Sequence, residues 1–239
     1  EAMREHLPRA RVLLVGSAEQ YGIVAPDELP LLETQVFRPA SPYAVSKVTQ
    51  EFLALQYGAS YGTDVVVTRS FNHSGPGQSD RFVLPSFARQ IAEAEAGLRE
   101  PVLRVGNLEV QRDFLDVRDV SEAYVQLKQK GHSGLAYNVC RGESFRLVDL
   151  LQSLTDMARV AIETVHSKAT TDRIRLMLRL KWEKSATGWI CASRARTVAS
   201  GITPSSASTW TAASLGLVKM PYIETAIAIA GITASEPKN

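Results

Sequence analysis

The sequence predicts an α/β protein built on a parallel sheet. Two short apolar runs without polar alternation, at residues 11–16 and 64–69, read as strands buried on both faces, as in a parallel sheet. Between them lies a stretch with helical spacing, which makes the pair a right-handed βαβ unit. Strand-like and helix-like stretches then alternate to about residue 165, the order of an α/β chain.

Each element follows from local signals. The opening residues Glu1–Leu7 are charged, lack a signal peptide's apolar core, and read as the tail of a helix already under way. The strand at 11–16 ends in Gly16. Residues 17–42 hold four prolines and few apolar repeats, so a long loop is expected, and loops of that length are usually functional. From Pro42 to Tyr61 helical spacing returns: Val45, Val48, Phe52, Leu55 and Ala59 share a face. Proline suits the first turn and Gly62 the stop. The strand at 64–69 leads into a second loop, residues 71–78, and a helix is expected at 82–96. Strands are expected at 102–105 and 112–117. Asp119 is placed to cap a helix running to about Lys130. A strand at 135–139, an amphipathic helix at 146–158 and a strand at 161–165 complete the pattern. Beyond residue 167 the periodicity decays, and residues 190–239 are rich in Ser, Thr and Ala with no amphipathic period.

Composition narrows the function classes. Of 239 residues, 45% are hydrophobic and 22% charged, the balance of an ordinary globular protein. Twenty-seven basic and 25 acidic side chains leave a formal charge of +2, which argues against a nucleic-acid or anionic-membrane surface. No run reaches the length of a membrane span. Two cysteines, Cys140 and Cys191, are too few for a disulfide scaffold or a Cys-rich zinc site, and are compatible with a reducing compartment. No metal site is expected.

The chemistry concentrates in one region. Tyr43 and Lys47 stand four residues apart in the expected helix, hence on one face. An ammonium beside a phenol favours the ionised form, which suits a general acid/base. The bland alternative is a packed tyrosine and a solvated lysine. Ser17 lies just past the end of the first strand, where open parallel sheets place ligands. Its hydroxyl could hold a substrate oxygen or simply cap the strand end.

Together these residues carry a resemblance. Gly16-Ser17-Ala18-Glu19-Gln20-Tyr21-Gly22 is followed by Ser41-Pro42-Tyr43-Ala44-Val45-Ser46-Lys47, then by the run from Arg69 to Gln78, Val105-Gly106-Asn107-Leu108-Glu109, Arg112 to Asp119, and Tyr137-Asn138-Val139. In order and spacing this resembles the extended short-chain dehydrogenases/reductases of the NAD-dependent epimerase/dehydratase family from about residue 1 to 165. It is most similar to the GDP-4-keto-6-deoxy-mannose reductases and GDP-mannose 4,6-dehydratases, and Phe71-Asn72-His73-Ser74-Gly75-Pro76-Gly77-Gln78 leans toward the reductases. The resemblance implies a Rossmann-like, doubly wound parallel sheet with a smaller C-terminal α/β substrate-binding part. It implies that residues 1–80 are the later half of a dinucleotide-binding domain, that 81–166 mix substrate-binding and late sheet elements, and that 167–239 form a diverged tail.

It also implies roles. Tyr43 exchanges the proton with the sugar oxygen at C4. Lys47 binds the nicotinamide ribose and favours the Tyr43 phenolate. Ser17 hydrogen-bonds the same sugar oxygen. Glu19 matches the acid/base carboxylate of the dehydratases, or is a solvated loop acid. Phe71 and His73 approach the nicotinamide end of the cofactor and Asn72 the sugar diphosphate, although His73 could be an ordinary satisfied loop histidine. Asn107 and Arg112 contact the nucleotide and its diphosphate, for which a planar guanidinium is suited. The alternative for Arg112 is an ion pair with Asp113 or Asp116. The implied cofactor is NADP or NAD, the substrate a nucleotide sugar with a GDP-linked hexose favoured, the assembly a homodimer, and the compartment the cytoplasm.

Two departures temper the resemblance. The family's opening strand, glycine-rich turn and helix, which seat a dinucleotide pyrophosphate, have no counterpart: no G-x-x-G-x-x-G or G-x-G-x-x-G occurs in the 239 residues. The family's C-terminal Arg-Pro segment is also unmatched. A truncated, inactive homologue is therefore a competing expectation to an active reductase or dehydratase.

Overall fold

The computed structural model describes residues 2–166 and 210–211. The expectations for the Ser/Thr/Ala-rich tail and for the Arg-Pro segment lie outside the described residues. In chain order the elements are α1 (Ala2–His6), β1 (Val12–Ser17), a 3-10 turn (Ala18–Tyr21), a second 3-10 turn (Pro26–Glu28), α2 (Pro42–Tyr61), β2 (Val65–Ser70), β3 (Asn72–Ser74), α3 (Val83–Glu95) and β4 (Val102–Val105). There follow β5 (Gln111–Asp116), α4 (Val117–Lys130), β6 (Ala136–Cys140), β7 (Ser144–Arg146), α5 (Leu147–Thr155), β8 (Glu163–His166) and β9 (Trp210–Thr211). The α/β class and the parallel sheet are as the sequence predicts.

The chain folds as two compact units. Among the described residues the first comprises 2–73, 113–144 and 210–211, and the second 74–112 and 145–166.

The first unit is organised by a parallel sheet in the order β1-β2-β6-β9. β1 and β2 pair from Val12↔Val65 to Ser17↔Ser70, and β2 and β6 from Val67↔Ala136 to Ser70↔Val139. Every residue of β2 is buried, as a central strand of a covered sheet must be. Its alternate side chains serve opposite faces. Val66 joins Leu115, Val120, Ala123, Leu127, Tyr137 and Val139 in the core beneath α4. On the other face Arg69 reaches Glu51 of α2. Past the strand tips, Ala18, Tyr21, Val24, Leu31, Phe71 and Cys140 form a further buried cluster.

α2 occupies the residues its spacing predicts. Ser41 caps it, its Oγ accepting from the Ala44 N–H at 3.1 Å. Gly62, left-handed at φ 67°, closes it by donating to the Gly58 carbonyl. The apolar stripe is not its buried face, however. Val45 is 49% exposed and Phe52 58%, while Ala44 and Glu51 are the residues buried. A second correction concerns α4: its cap is Asp116, whose carboxylate accepts from the Arg118 N–H at 2.8 Å, not Asp119, which lies in the first turn. The strand β5 ends one residue before the helix begins, so no room remains for a cap three residues later.

In the second unit β4 and β8 pair in parallel from Val102↔Glu163 to Val105↔His166. The buried faces of α3 (Leu84, Phe87, Ala88, Ile91) and α5 (Leu147, Leu150, Leu151, Leu154) supply its core. The Gln90 amide from α3 accepts from the Arg104 N–H and donates to the Arg104 carbonyl, which completes the free edge of β4.

Candidate active site

β1 delivers Ser17 to the C-terminal edge of the first unit's sheet, where the chain turns sharply into the first 3-10 turn. A capping box makes that turn. The Ser17 Oγ accepts from the Glu19 N–H at 3.2 Å, and the Gln20 side-chain Oε1 accepts from the Ser17 N–H at 2.8 Å. The strand-end cap foreseen as the bland alternative for Ser17 is therefore present. It does not consume the hydroxyl, which as an acceptor here keeps its proton to donate.

The N-terminal end of α2 meets this turn. Lys47 Nζ donates to the Val15 carbonyl at 2.9 Å, two residues before Ser17. The Ser41 hydroxyl donates to Glu19 Oε2 at 3.3 Å, two residues before Tyr43. Lys47 Nζ stands 5.8 Å from the Tyr43 ring centroid. Tyr43 is 51% exposed and Ser17 9%. Ser17, Glu19, Tyr43 and Lys47 thus belong to one constellation, with the phenol open to a ligand and the ammonium anchored on the strand.

Behind the constellation lies a buried polar network absent from the sequence expectations. Glu51 is 1% exposed and Arg69 6%. Their ion pair is two-pronged, Arg69 Nη2 to Glu51 Oε1 at 2.6 Å and Nε to Oε2 at 3.1 Å, the fork geometry that favours guanidinium over ammonium. Gln20 Nε2 donates to the same Glu51 Oε2 at 2.6 Å. Arg69 Nη1 donates to the Tyr21 hydroxyl and to the Glu33 carbonyl, at 2.9 and 2.7 Å. Tyr21 in turn donates to Asn138 Oδ1 at 2.6 Å. Burial pushes the Tyr21 phenol up to about 12 despite the opposing Arg69 charge, so it stays protonated and can make that donation. Glu33 accepts from the Asn138 N–H at 2.8 Å. Sequence spacing could have flagged Glu51, which follows Tyr43 and Lys47 at the same four-residue interval on one helix face.

The loop after the turn is drawn back over Gly22, whose φ is +70°. A Cβ there would lie 1.6 Å from the Arg38 carbonyl oxygen, so only glycine fits. Glu28 pins the loop by accepting from Arg38, Gln35 and the Ala25 N–H.

The remaining site residues lie elsewhere in the fold. Asn72 Nδ2 donates to the Asp113 carbonyl at 3.2 Å. His73 Nδ1 lies 3.0 Å from the Phe71 carbonyl, so that nitrogen carries the proton. Phe71 itself is 3% exposed, its ring packed in the strand-tip cluster. In the second unit Asn107 is exposed and its Oδ1 accepts from the Glu109 N–H at 3.0 Å. Arg112 is half-buried and donates to the Gln111 carbonyl at 2.8 Å. Among the described residues no group of three or more His, Cys, Asp or Glu is placed to hold a metal, and no helix is long and apolar enough to cross a membrane.

Comparison with known proteins is consistent across sequence and structure. The family model described as GDP-mannose 4,6 dehydratase matches residues 1–184. The GDP-6-deoxy-D-mannose reductase of Pseudomonas aeruginosa is 46% identical over 161 residues, covering 67% of this chain and 53% of that protein. The GDP-mannose 4,6-dehydratase of Yersinia enterocolitica is 34% identical over 122 residues, covering 51% of this chain and 32% of that protein. The solved structure of RMD from Pseudomonas aeruginosa complexed with NADPH matches with a TM-score of 0.72 at 34% identity, covering 92% of this chain and 65% of that one. The chain spans about half the length of the first of these curated relatives and a third of the second.

Proposed function

This chain belongs to the GDP-mannose 4,6-dehydratase family, and from that premise we propose that it carries the catalytic constellation of an NAD(P)H-dependent reductase acting on GDP-4-keto-6-deoxy-mannose at C4. The observation that carries the proposal is the anchoring of Lys47 on the Val15 carbonyl beside an exposed Tyr43. The 46% identity to a GDP-6-deoxy-D-mannose reductase supports the choice of substrate.

The residues fit a nicotinamide nucleotide at its reactive end. An exposed phenol, a fixed ammonium and a hydroxyl sit at the C-terminal edge of a parallel sheet, where such ligands bind. When bound, the reduced nicotinamide supplies the hydride. Tyr43 donates its proton to the carbonyl oxygen at sugar C4 as charge develops there. The Ser17 hydroxyl holds the same oxygen by donating to it. The Lys47 ammonium stabilises the phenolate that Tyr43 leaves behind and donates to ribose hydroxyls. His73 and the backbone around Phe71 border the nicotinamide, and Asn72 the sugar diphosphate. In the second unit Asn107 and Arg112 take the nucleotide and its diphosphate. On this reading residues 1–80 are the later half of the cofactor-binding part, and 81–166 mix substrate-binding and late sheet elements. The NADPH in the related solved structure supports NADP as the cofactor, with NAD the alternative.

A second reading, the 4,6-dehydratase, is supported by the family model and by the 34% identity to a GDP-mannose 4,6-dehydratase, while Glu19 is compatible with either reading. Glu19 stands exposed beside the constellation, bonded to Ser41, where a carboxylate could remove and return protons at C5 and C6. The apolar face that α2 leaves exposed, with Val45, Phe52 and Leu53, supports a homodimer formed through that helix. Nucleotide sugars and reduced nicotinamide pools make the cytoplasm the compartment this reading implies.

Incubation with GDP-4-keto-6-deoxy-mannose and NADPH, followed by absorbance at 340 nm, tests the reductase. Loss of absorbance with conversion of the C4 ketone to the C4 alcohol of the 6-deoxy sugar is expected. Conversion of GDP-mannose to its 4-keto product without net cofactor consumption would replace it by the dehydratase. No binding of NADPH and no turnover in either assay would refute both.

A further inference from the structure

We propose that Glu51, acting through Gln20, is a positioning residue that fixes Ser17 against the Tyr43–Lys47 face of α2. The proposal rests on the reductase reading of that face. Tyr43, Lys47 and Glu51 follow one another at four-residue intervals, so they line one side of the helix. The first is exposed, the second half-buried and the third fully buried. The buried end of that line grips the catalytic turn. Gln20 is a two-ended clamp: its Nε2 donates to Glu51 at 2.6 Å while its Oε1 accepts from the Ser17 N–H at 2.8 Å.

The chemistry of the clamp is directional. A carboxylate only accepts, so it orients the Gln20 amide with its NH2 toward α2 and its oxygen toward Ser17. A glutamine facing a neutral amide could flip and present its NH2 to the Ser17 N–H. Arg69 enforces the arrangement by donating to both Glu51 oxygens. The amide packs against Gly16, where an added Cβ would lie 2.5 Å from Gln20 Oε1. Lys47 on Val15 and Glu51 on Gln20 are therefore two struts that bracket Ser17 along the strand. A strut of this kind acts on catalysis through geometry alone, and small displacements of a reacting group cost rate more than affinity.

The test exchanges the clamp's chemistry. Gln20→Glu sets two carboxylates face to face, and Gln20→Glu with Glu51→Gln restores one carboxylate and one amide in reversed order. Amide hydrogen exchange at Ser17 and Glu19 is read by NMR on the full chain, with Val65–Val67 as the fold control. Exchange at Ser17 about tenfold faster in the single variant, returning to near the wild-type rate in the double, is expected. A double variant no better than the single would show that Glu51 does not act through residue 20 and would overturn the proposal. In the reductase assay kcat should fall about 10- to 100-fold in the single variant, with KM for the sugar nucleotide within about threefold, and recover in the double. Gln20→Met keeps the Glu51–Arg69 pair and introduces no like charge, and it should show the same selective loss of kcat. Equal kcat in wild type, Gln20→Met and Gln20→Glu would overturn the catalytic role. A wild-type protein without reductase turnover would instead defeat the reductase reading, while exchange still decides the Glu51–Ser17 link.

Discussion

Tyr43 and Glu51 lie on the same helix face and present opposite cases, one exposed and one buried, and their variants should separate accordingly. Tyr43→Phe removes only a hydroxyl that faces outward. Reductase kcat should drop at least about 100-fold, with the urea unfolding midpoint unchanged. Arg69→Ala removes the ion-pair partner of a buried Glu51, and should destabilise by roughly 3–5 kcal/mol, measured by the same urea titration. Asp113 supplies the pH dependence. It is fully buried, and burial pushes its carboxyl from 3.8 up to about 6, although the Arg141 and Gly142 amides that it accepts from pull the other way. Between about pH 4 and 6 the folded protein then binds more protons than the unfolded chain. Stability should fall as pH rises through that window, by roughly 3 kcal/mol from this group, and level off above it. Asp113→Asn should flatten that slope; an unchanged slope would contradict the assignment. Tyr43, Lys47 and Ser17 could be singled out in the sequence because a phenol and an ammonium four residues apart share a helix face and Ser17 follows an apolar strand, a weak pattern alone that its context strengthens. Gln20 and Glu51 were not singled out, because a glutamine in a loop and a glutamate on a helix read as solvated until a fold buries them.

Among the elements, α2 shows what periodicity can and cannot reveal. Its bounds follow from Ser41-Pro42 at one end and Gly62 at the other, all local signals. Which stripe faces the sheet is not local. The sheet takes the Ala44–Glu51 side, where a small residue admits the strand and a carboxylate meets Arg69, and the apolar stripe of Val45 and Phe52 stays exposed. The caps offer a test of the one helix start that was misplaced. Asp116→Ala should cost about 1 kcal/mol in urea unfolding and Asp119→Ala distinctly less; the reverse order would contradict the observed cap. β3 and β7, three residues each, are too short for a two-residue alternation to stand out from a loop.

Over the whole molecule, the described chain passes between two units rather than filling one and then the other: residues 74–112 leave the first and 113–144 return to it. The α/β class and the parallel sheet were legible in the sequence, as was a mixing of substrate-binding and late sheet elements after residue 80, whereas the points at which the chain crosses between units are fixed by long-range packing that no local signal carries. The sheet survives that partition because β1, β2 and β6 all belong to the first unit, and with it the Ser17–Tyr43–Lys47 constellation remains within one folded body. The claim that this constellation reduces a sugar ketone is tested most directly by tracing the hydride. With NADPH deuterated at the transferred position and GDP-4-keto-6-deoxy-mannose as substrate, mass spectrometry and NMR of the product should find one deuterium, at sugar C4. Deuterium at any other carbon, or none in the sugar, would contradict it.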